Sequence, residues 1–112
     1  MKIFDKIINV IVRNFYSFEK QARRAGVSMG DNNFIASHFL SSEGYLITIG
    51  SHCAFTSGTK VFTHGGARAA RSKYPKFDCF GKVVIGDYVY VGTNSLIMPG
   101  VTIGSNVLYC CR

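Results

Sequence analysis

An all-β chain wound as a parallel β-helix, led by an amphipathic α-helix, is the fold class this sequence predicts. Two observations carry the prediction. Beyond Gly26 the aliphatic residues recur every six positions, with a small or polar pair between them, and before Gly26 they recur at helical spacing. A period of six suits neither a helix, which repeats its apolar face every three and four residues, nor a free amphipathic strand, which repeats it every two. Twelve glycines against two prolines point the same way, toward many tight corners.

Residues 1–26 form the first unit. Ile3, Phe4, Ile7, Ile8, Ile11, Phe15 and Phe18 fall on one side of a helical wheel, with Asp5, Asn9, Arg13 and Lys20 elsewhere. The spacing predicts one helix over this stretch, closed at Gly26. It packs on its own domain or on a neighbouring subunit, or else residues 1–25 lie on a membrane surface. The apolar run from Ile7 to Val12 is broken by Asn9 and ended by Arg13, so it neither spans a bilayer nor reads as a cleavable leader.

Residues 27–112 form the second unit. From Ile49, steps of six reach Phe55, Val61, Ile85, Val91, Ile97 and Ile103, and glycine follows Ile49, Ile85, Val91 and Ile103. Two places before each aliphatic stand Ile47, Cys53, Thr59, Val83, Val89, Ser95 and Val101. Each hexad then supplies one short side with an inward aliphatic, and each corner a residue that tolerates positive φ, as in Ile49-Gly50-Ser51-His52 and Ile85-Gly86-Asp87-Tyr88. Met29-Gly30 and Ile35-Ala36 fit the same unit in a second phase, shifted by two extra residues between His38 and Leu46. Stacked coils pair such sides in parallel and line like residues into an inner ladder. Between Val61 and Ile85 the unit is interrupted, and residues 65–82 read as an excursion from the coil.

The run Gly81-Lys82-Val83-Val84-Ile85-Gly86-Asp87-Tyr88-Val89-Tyr90-Val91-Gly92-Thr93-Asn94 and the segment Met98-Pro99-Gly100-Val101-Thr102-Ile103-Gly104 closely resemble the hexapeptide-repeat acyltransferases, among them the maltose, galactoside and capsular-polysaccharide O-acetyltransferases. The resemblance covers residues 27–108. It implies a left-handed β-helix, a homotrimer, and acetyl-CoA bound between neighbouring subunits. It also implies transfer of an acetyl group to a sugar or polysaccharide hydroxyl. N-acyl transfer to an amino sugar, or a catalytically inactive trimeric scaffold, are the alternatives.

Three histidines, His38, His52 and His64, each follow an inward aliphatic by three places and are expected to face outward. His64, in Val61-Phe62-Thr63-His64-Gly65-Gly66, resembles the family's catalytic histidine before an extended loop, which implies a general base. An imidazole near neutral pKa suits that task. The family often has aspartate next, where this chain has Gly65. For His38 and His52 an exposed position with no chemistry is the simpler reading, although Ser37 and His38, with Arg68 and Arg71, are the expected acceptor contacts. The excursion carries Arg68, Arg71, Lys73 and Lys76 with Tyr74, Phe77 and Phe80, and reads either as a cover for a neighbour or as a lid for an acidic acceptor or CoA phosphates. The family match places the cofactor along Tyr90, Gly92, Thr93, Asn94, Pro99 and Gly100.

Behind the net charge of +7, six basic residues lie in residues 2–24 and four in 68–76, and they are not interleaved with aromatics as on single-strand binding platforms, so nucleic acid is not expected. Cys53, Cys79, Cys110 and Cys111 follow no zinc spacing, and the histidines lie on different faces of the coil, so no metal is expected. Cys53 falls on an inward place and reads as core. Reduced thiols and the lack of a leader pattern predict a cytoplasmic protein. At the end, Tyr109, Cys110 and Cys111 stand where an aliphatic, a glycine and a small residue belong. The sequence therefore predicts that the repeat fails at Tyr109 in a premature ending, with an incomplete last coil and weakened acetyl-CoA binding.

Overall fold

The computed structural model describes residues 2–15, 17–38 and 43–109. It opens on two helices where the spacing predicted one: α1, Lys2–Phe15, and α2, Phe18–Arg24. The break is local chemistry. Ser17 is extended (φ −64°, ψ 160°) and its hydroxyl accepts the Lys20 N–H at 3.2 Å, so it caps a new helix start. Of the two helices, α2 packs on the coil stack. Its Ala22 is buried with Val27 in the core. Arg23 donates to the carbonyls of Met29 at 3.0 Å and Gly30 at 2.6 Å, while Glu19 holds the same guanidinium. Thus α2 closes the end of the coil stack.

Four coils follow. The first holds β1 (Ser28–Met29) and β2 (Phe34–Ile35); the second β3 (Ile47–Ile49), β4 (Ala54–Phe55) and β5 (Lys60–Val61). The third holds β6 (Val83–Ile85), β7 (Tyr90–Val91) and β8 (Leu96–Ile97), and the fourth β9 (Thr102–Ile103) and β10 (Leu108–Tyr109). Like sides stack into three parallel sheets, ordered β1-β3-β6-β9, β2-β4-β7-β10 and β5-β8. The register is that of the hexads: Met29, Ile49, Ile85 and Ile103 form one inner ladder, Ile35, Phe55, Val91 and Tyr109 the second, Val61 and Ile97 the third. Phe55, Val61, Val83, Val91 and Ile97 are fully buried, so these ladders are the core. Cys53 lies among them, and burial pushes its thiol pKa up.

The corners differ from expectation in one respect. Positive φ falls on Asn32, His52, Tyr88, Asn94 and Asn106, and not on the glycine that follows each inward aliphatic. Gly50 is required for closeness: a Cβ there would stand 2.6 Å from the Gly86 carbonyl oxygen of the next coil. His52 and Tyr88, in successive coils, stack their rings at 4.6 Å.

Ile49 pairs directly with Ile85, so the gap between Val61 and Ile85, four steps of six, holds no extra coil. The chain leaves through a neck in which His64 bridges Phe80 antiparallel, and Gly65 and Gly81 donate their N–H groups to Cys79 and Thr63. Beyond the neck residues 71–80 are all exposed. Tyr109 is the last described residue of the second inner ladder. It keeps its strand place beside Val91 with its ring partly buried, and its hydroxyl donates to the Leu96 carbonyl at 2.7 Å on the last strand of the third sheet. An aromatic body with a polar tip suits an inner place at the end of a stack. Cys110, Cys111 and Arg112 lie outside the described residues.

Candidate active site

The third corner, where β5 and β8 end, collects the candidate chemistry. Thr63 and His64 follow β5 there, and the neck of the excursion fixes the His64 backbone against Phe80. One coil below stands Glu43, directly before a 3-10 turn, Gly44–Leu46, whose Leu46 N–H returns to the Glu43 carbonyl. Gly44 sets this position. It packs so closely on the end of α2 that a Cβ there would lie within 2.3 Å of the Ala25 carbonyl oxygen.

Glu43 Oε1 lies 2.6 Å from His64 Nδ1 and accepts the Thr63 hydroxyl at 2.8 Å. The hydrogen bond from Thr63, then that from His64, holds the Glu43 carboxyl below the usual carboxylate range. An ionised carboxylate offers no proton, so Nδ1 carries the hydrogen and donates it, which leaves the lone pair on Nε2. The acid is mostly covered, at 17 % exposure, while the His64 side chain is 43 % exposed. One flank of the imidazole is set by Phe80, whose ring centroid is 5.7 Å away. The arrangement is an oriented imidazole with one basic nitrogen open to a reactant. The place after His64 is Gly65, but the carboxylate is present all the same, supplied from the coil below. Glu43 is the residue the sequence reading missed. The available signal was its place one coil, with the two-residue shift, before Thr63.

The other candidates divide between this corner and the rest of the coil. Pro99 and Gly100 lie at the His64 corner, one coil above, where Gly81 packs against Gly100. Tyr90 stands on the outer face of the second sheet, in register with Phe34, Ala54 and Leu108. Gly92, Thr93 and Asn94 turn the corner between the second and third sheets. The amides there are not all available for a ligand: Gly92 N–H donates to Tyr109 and Asn94 N–H to Ser57, as coil stacking requires. The Thr93 hydroxyl is at the surface, 3.5 Å from that of Thr56. Ser37, expected at the acceptor, is buried and its hydroxyl donates to the Thr59 carbonyl at 2.9 Å, so it serves the fold. His38 is exposed beside Phe18. Arg68 is exposed in the excursion, whereas Arg71 braces that loop, donating to the Phe77 carbonyl at 3.0 Å beside Asp78. Among the described residues no group of three or more histidines, cysteines and acids is placed to hold a metal ion.

Residues 82–108 match the family described as bacterial transferase hexapeptide (six repeats). The chain is similar to Protein CapG of Staphylococcus aureus, 47 % identical over 88 residues, covering 75 % of this chain and 51 % of that protein. It therefore spans about half the length of this curated relative.

Proposed function

We propose that this chain, whose residues 82–108 match the bacterial transferase hexapeptide family, is a left-handed β-helix acetyl-CoA-dependent O-acetyltransferase acting on a sugar or polysaccharide hydroxyl. The observation that carries the reading is the Glu43–His64 pair at an open corner. His64 Nε2 takes the proton of the acceptor hydroxyl as that oxygen attacks the thioester carbonyl. The tetrahedral adduct collapses, the carbon–sulfur bond breaks, and His64 returns the proton to the departing thiolate. Glu43 acts as a positioning residue: it selects the tautomer and steadies the imidazolium while the proton is held. Such base catalysis contributes about 10²–10⁴-fold.

The Tyr90–Asn94 segment lies on another side of the coil from His64, so a site using both is completed by a second copy. The outer ladder of Phe34, Ala54, Tyr90 and Leu108 is an apolar strip suited to burial against one, which supports a homotrimer with acetyl-CoA between subunits. The excursion, with Arg68, Lys73 and Lys76 exposed, then supplies cationic groups to the CoA phosphates or to an acidic acceptor. Use of acetyl-CoA as donor supports a cytoplasmic reaction.

The test is free-thiol release from acetyl-CoA by the purified chain with sugar acceptors. His64→Ala is expected to lose about 10²–10⁴-fold in kcat, and Glu43→Gln at least about tenfold in kcat with little change in KM. Equal rates for His64→Ala and wild type would remove the base assignment. Faster transfer to an amino sugar lacking the free hydroxyl would move the reaction to N-acylation.

A further inference from the structure

Among its described side chains, the first helix leaves most of its apolar face uncovered. Along α1, Ile3, Phe4, Ile7, Val10 and Ile11 are all exposed, Ile3 by 75 % and Phe4 by 63 %. At 100° per residue these five lie within about 120° of arc, a continuous apolar stripe on a rod about 21 Å long. Lys6 stands on the flank of that stripe, with Lys2 beside it, and both are exposed. The whole leading segment, residues 1–26, carries six basic residues against two acidic ones, Asp5 and Glu19, and Glu19 is already paired with Arg23. The stripe is set off from the coil stack by the Ser17 break, so the packing of α2 on the first coil leaves it uncovered.

The covering partner must be apolar at depth and negative at its surface. A second copy of α1 satisfies the first requirement but not the second: it brings another segment with six basic residues against two acidic ones, and in a parallel pair it sets Lys2 and Lys6 against their own kind. An anionic bilayer satisfies both: the stripe enters the acyl boundary while the lysine stems lie along it and their ammonium groups meet lipid phosphates. Depth is limited, since among the described residues no helix is long and apolar enough to cross a membrane.

We propose that α1 is an interfacial anchor that lays this protein on an anionic membrane surface, with the coil stack standing off it beyond α2.

The chain has no tryptophan, so Phe4→Trp in the otherwise native protein gives a single emission probe within the stripe. With vesicles of equal parts phosphatidylcholine and phosphatidylglycerol, its emission is expected to shift to the blue and the protein to float with the vesicles. Vesicles of phosphatidylcholine alone are expected to capture less, and high salt to release the protein. Lys2→Gln with Lys6→Gln should weaken partitioning about ten- to thirtyfold, and Ile7→Asp with Ile11→Asp should abolish it while the far-ultraviolet β signal is kept. No flotation with the anionic vesicles overturns the proposal. So does equal capture by neutral vesicles. So does a probe already blue-shifted without lipid in an oligomer that Ile7→Asp with Ile11→Asp dissociates, which would give α1 to a second copy.

Discussion

Glu43 and His64 show how two ordinary surface residues become a pair. Neither is deeply buried, and the contact stands because coil stacking brings one corner above the next. Its pH dependence follows from the depressed Glu43 carboxyl. A carboxyl whose folded-state pKa lies below its unfolded value contributes stability above the unfolded value, and that contribution is lost as pH falls through the folded value. Wild type is therefore expected to be more stable than Glu43→Gln at neutral pH, with the gap closing across the acidic carboxylate range. Thermal melts of both proteins at stepped pH check this, and a gap that does not change with pH would contradict it.

At the scale of elements, α2 and the 3-10 turn after Glu43 act together. The helix closes the first coil through Ala22 and Arg23, and its last carbonyls are the floor on which Gly44 rests. A methyl group at residue 44 meets backbone, which cannot rotate away, so the turn or the helix end must shift. Gly44→Ala is expected to cost about 1–3 kcal/mol. It is also expected to reduce kcat more than its stability loss explains, because Glu43 moves with the turn. Denaturant midpoints and kcat measured on the same preparation separate the two effects. A variant with lowered stability and full activity would show that Glu43 is placed independently of α2.

For the whole molecule, the third coil sits directly on the second, and the excursion is an insertion through a closed neck. Residues 71–79 are all exposed and none belongs to the core, so their cost to the fold is mainly loop closure, which changes by only about 0.6 kcal/mol for each doubling of length. Removing residues 69–78 and rejoining the ends is expected to leave stability within about 1 kcal/mol of wild type, read from the denaturant midpoint. A loss of several kcal/mol would mean the loop supports the core. Phe55, fully buried in the second ladder, gives the contrasting scale: Phe55→Ala is expected to cost about 3–5 kcal/mol, a large part of the stability of a small domain.

The sequence by itself determined the coil. Hexad spacing named the inward residues Ile49, Phe55, Val61, Ile85, Val91, Ile97 and Ile103, and all seven are buried because a period of six leaves one aliphatic per side with nowhere else to go. It also located the excursion and His64, since a break in so regular a pattern is itself a signal. Tertiary structure decided what depends on contact between coils. The Glu43–His64 pair joins residues twenty-one apart, across a two-residue shift of phase, and only stacking makes them neighbours. The burial of Ser37, the capture of the Gly92 and Asn94 amides, and the place found for Tyr109 have the same cause: each is settled by the coil above or below, which no local spacing records. The split of the leading helix at Ser17 is different in kind, because a single hydroxyl acceptor outweighed an unbroken apolar periodicity.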